Sequence, residues 1–300
     1  MAIPKQNLPP IRACIFDLDG LLINSEDIIT RAVNSLLQNY SRPPFTPAIR
    51  AKLMGVPGST NSNTFHDWAQ LPISREQFAL ECAEEMRARF PECVPLPGAE
   101  GLLERLSRAR SCGDGGERIE LALASGTRKE TFELKTQGME VRRLLGFFKE
   151  GRVVLGDDER VRTMGRKGKP APDIYLVALG VLNGRRGEGQ REILPCECLV
   201  FEDSVVGVEA GRRAGMRVVW VPHADVMGEL RERVEEVLAG RMGVEKGDGV
   251  EEERVGGLRG ELGDGWAECI RSLEFFDYGK YGIEVPDCPR VVPCQIPRYT

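Results

Sequence analysis

Residues 11–20 read IRACIFDLDG, an apolar run that ends in two acids and a glycine. The Ile, Cys and Phe of this run have the composition of a buried strand. Side chains on a strand alternate faces, so Asp17 and Asp19 project to one side at the point where the strand stops. Gly20 then lets the chain turn sharply without a Cβ penalty. Two carboxylates this close are costly unless something positive lies beside them.

Further apolar runs follow downstream, at 119–124 (IELALA), 152–155 (RVVL), 198–201 (CLVF) and 217–221 (RVVWV). Helical patterns separate them: LLERLSRAR after the PLPG turn, KETFELKT after Gly126, DIYLVALGVL after Pro172 and VGVEAGRRAG after Ser204. This alternation predicts an α/β fold, a doubly wound, Rossmann-like parallel sheet. Between the first two runs the chain has no convincing strand but several amphipathic stretches, EDIITRAVNSLLQNY, TPAIRAKLMG, NTFHDWAQL and SREQFALECAEEMRARF. The last opens with Ser74 and Gln77 in a capping-box pattern. An all-helical cap inserted into the sheet domain is therefore expected, with hinges near 24–27 and 91–97.

The predicted organisation is an N-terminal arm at 1–10, the α/β core at 11–26 and 97–239, and the cap at 27–96. A Gly/Glu/Arg-rich insertion at 240–265, expected to be poorly ordered, precedes a C-terminal segment, 266–300, that packs on the core. The Gly-rich, charged stretches 111–117 and 183–192 read as flexible surface loops.

The 300 residues are 41% apolar and 29% charged, with a net charge of −5. That balance describes a soluble globular chain and provides no basic footprint for nucleic acid. No apolar run approaches the roughly 18 residues of a membrane span, and the N-terminus lacks an apolar signal core. Nine scattered cysteines and two histidines have no metal-knuckle spacing, which points to reduced cysteines in the cytoplasm or nucleus. A monomer or weak dimer is expected.

Chemistry-bearing residues recur at the ends of the strands. The first run ends in Asp17-Leu18-Asp19, the second in Ser125-Gly126-Thr127, and CLVF in Glu202-Asp203-Ser204; Lys169 stands in GKPAPD before a helix. Ligands of open α/β sheets bind beyond the carboxyl ends of the strands. Clustered carboxylates call for a hard dication, and oxygen-only ligands select Mg²⁺ over zinc. A lysine and a serine hydroxyl suit the oxygens of a phosphate. The positive species beside Asp17 and Asp19 is thus expected to be Mg²⁺, bound together with a phosphoryl group.

The DLDG of 17–20, the SGT of 125–127, the GKPAPD of 168–173 and the FEDSVVGVEAGRRAGM of 201–216 resemble the motifs of the haloacid dehalogenase superfamily, in its phosphatase branch with a helical cap. The segments LMG (53–55), PLPGAEGLLERL, FELKTQ, VLGDD and SLEFFDYGKYGI are similar to the pseudouridine-5′-phosphatase-like group. The chain departs from that group at Asn24, usually Asp, and in the polar loop after Gly55. The resemblance implies a hydrolase of phosphoric monoesters with a small phosphorylated metabolite as substrate, a nucleoside or sugar phosphate such as pseudouridine 5′-phosphate. It implies Asp17 as nucleophile, forming an aspartyl-phosphate, and Asp19 as general acid and then base. Ser125, Gly126 and Lys169 would bind the phosphate. Asp17, Asp203 and the backbone carbonyl of Asp19 would hold Mg²⁺, with Glu202 helping through water or as an alternative ligand. Asp17 would act ionised and Asp19 protonated, which requires separated pKa values.

Three rival readings remain. A sugar phosphomutase of the same fold would carry a histidine about ten residues beyond the second Asp, where this chain has Ile29. A dehalogenase needs neither Asp19 nor Glu202-Asp203. A non-catalytic phospho-accepting receiver is shorter and has no cap. Asp157 and Asp158 read as a turn, Gly207 as a site of close helix packing, and His66 and Trp68 as residues of the cap's interior.

Overall fold

The computed structural model describes residues 8–53, 63–113, 115–165, 168–242 and 260–286. Strand β1 (Ala13–Phe16) is buried throughout. Ala13 and Ile15 enter one apolar cluster and Cys14 and Phe16 another, as the two-residue period of a strand requires when both faces are covered. Seven strands follow: β2 (Arg110–Ser111), β3 (Glu120–Ser125), β4 (Val153–Leu155), β5 (Cys198–Glu202), β6 (Arg217–Trp220), β7 (Ala267–Cys269) and β8 (Ile283–Glu284). Six of the eight described strands form a sheet in the order β4-β3-β1-β5-β6-β7, and every neighbouring pair is parallel. The fold is a Rossmann-like α/β sheet. Phe16 lies beside Leu123 and Phe201, so β1, β3 and β5 end together and bring Asp17, Ser125 and Glu202 to one edge.

Twelve helices are described: α1 (Ser25–Asn39), α2 (Pro47–Leu53), α3 (Asn63–Ala69), α4 (Arg75–Arg89), α5 (Ala99–Arg108), α6 (Lys129–Lys135), α7 (Met139–Leu145), α8 (Glu159–Arg162), α9 (Asp173–Asn183), α10 (Val205–Arg213), α11 (Ala224–Leu230) and α12 (Val234–Leu238). Helices α5 and α7 cover one face of the sheet, and α8 to α12 supply the apolar cluster of the other. The first four helices share their own interior, built on Val33, Leu36, Leu37, Phe65 and Phe78. Each such large side chain, once buried, contributes about 1.5–3 kcal/mol. Only half of the expected capping box forms. Ser74 Oγ accepts from the Gln77 amide at 3.1 Å, whereas the Gln77 side chain donates to Glu81. Arg50 of α2 ties this helical unit to the sheet domain, pairing with Asp27 and, at 3.2 Å, with Asp225 on α11.

The C-terminal segment does more than pack on the surface. β7 adds a sixth strand beside β6, β8 pairs antiparallel with β2, and Leu273, Phe276 and Tyr281 enter the core. The two Gly-rich loops expected to be flexible are pinned by ion pairs. Glu117 accepts from Arg186 at 2.6 Å and from Arg12 at 2.7 Å, and Arg191 pairs with Glu197 at 2.5 Å. The expectation of disorder at 240–265 falls mostly on 243–259, outside the described residues. Its flanks are held, with the Gly260 amide bonded to the Ala239 carbonyl at 2.9 Å and Arg212 paired with Asp264. Residues 1–7 of the arm, residues 54–62 with the polar stretch after Gly55, and residues 287–300 also lie outside the described residues. The seven described cysteines are free thiols.

Candidate active site

The site begins where β1 and β5 end. The Asp17 amide donates to the Phe201 carbonyl at 3.0 Å, which fixes Asp17 against the strand leading to Glu202. Lys169 reaches in from the loop before α9 and donates to Asp17 Oδ1 and to Glu202 Oε1, each at 2.5 Å. Ligand oxygens of Asp17, Glu202 and Asp203 lie within 4.8 Å of one another, and all three residues are buried. Asp19 stands on the other side. Its Oδ1 accepts from Ser25 Oγ and Lys135 Nζ, both at 2.6 Å, and its Oδ2 from Thr127 Oγ1 at 2.6 Å and Ser125 Oγ at 3.3 Å. Gly126 follows Ser125 on the surface of the same edge. The structure therefore brings Asp17, Glu202, Asp203 and Lys169 into one cluster, with Asp19 and Ser125 in an adjoining one.

Two glycines make room for this crowding. Gly20 has φ +75°, and a Cβ there would lie 2.3 Å from Asp203 Oδ2. A Cβ on Gly207 would lie 1.9 Å from Glu202 Cδ. Gly207 thus serves the approach of a carboxylate to the start of α10, not the packing of two helices. There Ser204 Oγ caps α10 by accepting from the Gly207 amide, and Glu202 Oε2 accepts from the amides of Asp203 and Ser204 and from Ser204 Oγ. Gly207→Ala should cost about 1–3 kcal/mol, as overpacking of an interior does, and should lower kcat by displacing Glu202 from Lys169. Urea unfolding measured beside turnover checks this. Unchanged stability would place the Glu202 carboxylate elsewhere.

Charge explains which acid bears the strain. Glu202 has many donors: Lys169, the Tyr175 hydroxyl at 2.5 Å and the three at the start of α10. Burial opposes its ionisation, but the Lys169 charge and these bonds prevail and hold it below the usual carboxylate range. Asp17 shares Lys169 and has fewer partners. Burial, with Glu202 and Asp19 nearby, pushes it up to about 7 despite Lys169. Asp203 is driven well above the ordinary range by burial and by Glu202, Asp17 and Glu26. Its bonds run through its backbone, with the Trp220 indole donating to its carbonyl at 2.8 Å, and among the described residues its carboxylate accepts none. Glu26, half-buried, rises to about 7 through burial and the charge of Asp19. Asp19 goes the other way: burial is outweighed by the Lys135 charge and by bonds from Lys135, Ser25 and Thr127, which bring it down to about 2.

The two aspartates therefore differ strongly in acidity, as a division of labour requires, but in the opposite sense to the sequence expectation. The cause is long-range: Lys135 pairs with Asp19, while Asp17 sits among other acids. Asp17, Asp19, Glu26, Glu202 and Asp203 face the ammonium groups of Lys135 and Lys169, so the protein's own charges leave a deficit centred on Asp17 and Asp203. A hard dication fits that deficit, and it would invert the surroundings that raise Asp17. Glu202, with both oxygens engaged, is the least available of the three acids as a direct ligand.

Lys135, Thr127, Ser25 and Tyr175 were not found from sequence. Lys135 lies within FELKTQ and Thr127 within SGT, inside segments already singled out. Yet nothing in a helix pattern says which distant carboxylate its last residue meets. Asp157 and Asp158 lie at a turn, as expected, with the Asp158 amide donating to the Leu155 carbonyl at 3.0 Å; their side chains also serve helix starts, Asp157 accepting from the Lys129 amide at α6 and Asp158 from the Arg160 amide at α8. His66 contacts Phe65 and Phe78 inside the helical unit.

Among known proteins, the probable pseudouridine-5′-phosphatase of Saccharomyces cerevisiae is 35% identical over 273 residues, 91% of this chain and 98% of its own. The (DL)-glycerol-3-phosphatase 1, mitochondrial, of Arabidopsis thaliana is 34% identical over 75% of this chain and 68% of its own. Among solved structures, a putative β-phosphoglucomutase from Thermotoga maritima superposes with a TM-score of 0.51 at 30% identity, over 71% of this chain and 87% of that one. Residues 14–221, which contain every element of the site, match the haloacid dehalogenase-like hydrolase family. With the strand-end acids, the sheet order and the inserted helices in agreement, the chain belongs to the haloacid dehalogenase-like hydrolases.

Proposed function

We propose that this hydrolase is a Mg²⁺-dependent phosphomonoesterase of a small phosphorylated metabolite, acting through an aspartyl-phosphate on Asp17. The observation that carries the reading is the convergence of Asp17, Glu202 and Asp203 within 4.8 Å around one lysine. That grouping leaves negative charge uncompensated where a cation and a phosphate would meet. Asp17 and Asp203 would hold Mg²⁺ directly, with the Asp19 carbonyl. Bound there, the ion neutralises charge on the phosphoryl oxygens and keeps Asp17 ionised.

The chain's own groups do the rest. Asp17 attacks phosphorus in line. Asp19, held ionised by Lys135 before substrate binds, takes up a proton as the phosphate dianion arrives beside it, gives that proton to the departing ester oxygen and then takes one from the water that cleaves the acyl-phosphate. Lys169 and Ser125, with the Gly126 backbone, hold the transferring oxygens, where stabilising developed charge contributes most to rate. Glu202 positions Lys169 and the 203–204 backbone. Helices α1–α4, which dock on α11 through Arg50, form a cap that shields the acyl-phosphate from bulk water.

Nucleoside and sugar phosphates, pseudouridine 5′-phosphate among them, are the proposed substrate class in a cytoplasmic setting. The likeness to a glycerol-3-phosphatase adds polyol phosphates to the candidates. A panel of phosphomonoesters ranked by kcat/KM is the test. Mg²⁺-dependent phosphate release from at least one small ester is expected, and no release from any would overturn the reading. The likeness to a putative β-phosphoglucomutase favours a second reading, transfer between sugar positions. Asp19 is, however, paired with Lys135 and not with a histidine, and Ile29 is packed among apolar residues. Isomerisation of a hexose phosphate without phosphate release, in the presence of a bisphosphate, would decide for that reading.

A further inference from the structure

We propose that Lys135 is a positioning residue for proton transfer: it holds Asp19 in place and links that placement to the return segment of the helical cap. The inference rests on the reading of Asp19 as the group that protonates the leaving oxygen. Lys135 ends α6, and its side chain is only 5% exposed. Its ammonium lies 2.6 Å from Asp19 Oδ1, 3.3 Å from Thr127 Oγ1 and 4.7 Å from the centre of the Phe90 ring. Phe90 is buried at the point where α4 ends and the chain turns back toward the sheet. Ser25, which also binds Asp19 Oδ1, opens α1 where the chain enters the cap. One carboxylate oxygen is thus gripped from both connections of the cap, directly by Ser25 and through Lys135 from Phe90.

A surface ion pair would be worth little and would need no such neighbours. This one is buried in a site already overloaded with acid, and the lysine is shared with a hydroxyl and an aromatic face. The two buried lysines divide the site between them, Lys169 on Asp17 and Glu202 and Lys135 on Asp19. In the first chemical step the bond from Asp17 to phosphorus forms, the ester P–O bond breaks, and the Asp19 proton passes to the departing oxygen. That transfer needs Asp19 aligned to a fraction of an ångström, and misplacement by about 1 Å costs on the order of 10²-fold.

The test uses Lys135→Met, which keeps length and apolar packing but removes the ammonium, and Lys135→Arg, which keeps the charge. Release of the leaving group is followed in a single turnover, so that only the first step is read. One ester is p-nitrophenyl phosphate, whose phenolate leaves with little help; the other is glycerol phosphate, whose alkoxide needs a proton. For Lys135→Met we expect a loss of roughly 10²-fold or more on the alkyl ester and less than about 10-fold on the aryl ester. Lys135→Arg should recover part of the alkyl rate. Equal losses on both esters, no loss, or a faster alkyl rate would overturn the proposal. If Lys135→Met does not fold, a Lys135→Arg variant slower on the alkyl ester than on the aryl ester supports it, and one with equal losses or no loss on both overturns it. Asp19→Asn separates the two levels. If it shows the leaving-group dependence and Lys135→Met does not, the role of Lys135 fails alone; if neither shows it, the reading of Asp19 fails.

Discussion

Asp17→Asn should lower phosphate release by roughly 10⁴-fold or more, the scale on which loss of an enzyme's nucleophile is felt. The amide is isosteric, so the carbonyl-side contacts with Lys169 persist and the backbone bond to Phe201 is untouched. What disappears is the charge proposed to attack phosphorus and one of the two acids best placed to hold a cation. The fold should survive. Among acids this crowded, removing one charge relieves repulsion, and the unfolding midpoint without added Mg²⁺ should not fall. Steady-state release of phosphate, with circular dichroism as control, is the measurement. A variant retaining more than about a tenth of wild-type turnover would remove Asp17 from the chemistry and with it the aspartyl-phosphate mechanism.

Chelation of Mg²⁺ should abolish turnover, and the effect of the ion on stability should depend on pH in a defined direction. Asp17 and Glu26 are raised to about 7, and Asp203 is raised as well. In the unfolded chain such acids titrate near 4. Between about pH 4 and 7 the folded chain therefore binds more protons than the unfolded one, and without a cation its stability falls as pH rises through that window. A cation that binds only the folded, ionised site restores what deprotonation removes, by about 2.7 kcal/mol at a hundred times its dissociation constant. Adding Mg²⁺ should accordingly raise the melting midpoint more at pH 8 than at pH 5.5. Asp19, brought down to about 2, contributes in the opposite sense and only in strong acid. Equal shifts at the two pH values would mean that the ion binds away from Asp17 and Asp203.

Much of the frame was legible in the sequence because it depends on local pattern. The short apolar runs before Asp17, Ser125 and Glu202 could only be buried strands, and parallel pairing brings their ends together whatever the details of the helices. Where reading from sequence failed, the cause was a partner far along the chain. Lys135 and Asp19 are 116 residues apart, and nothing in the spacing of either reveals the pair. The acidity of Asp17 likewise depends on how it shares Lys169 with Glu202. Gly207 looked like a helix-packing residue because the sequence does not show a carboxylate folding back over its own strand end. β7 is three residues long and half-buried, too brief and too polar to stand out as a strand. The loops at 111–117 and 183–192 read as free because each is rich in glycine, yet they are fastened to one another by Glu117 and Arg186.

The bond between the Gly260 amide and the Ala239 carbonyl also bears on how this chain tolerates change. The stems on either side of residues 243–259 meet, and Arg212 with Asp264 clamps the junction from the sheet domain. Where two anchor points touch, the length of chain between them costs the scaffold little: doubling a flexible connection adds only about 0.6 kcal/mol of closure entropy. Evolution can lengthen, shorten or rewrite that stretch without touching the catalytic edge. A reporter or affinity tag grafted there would meet the same indifference.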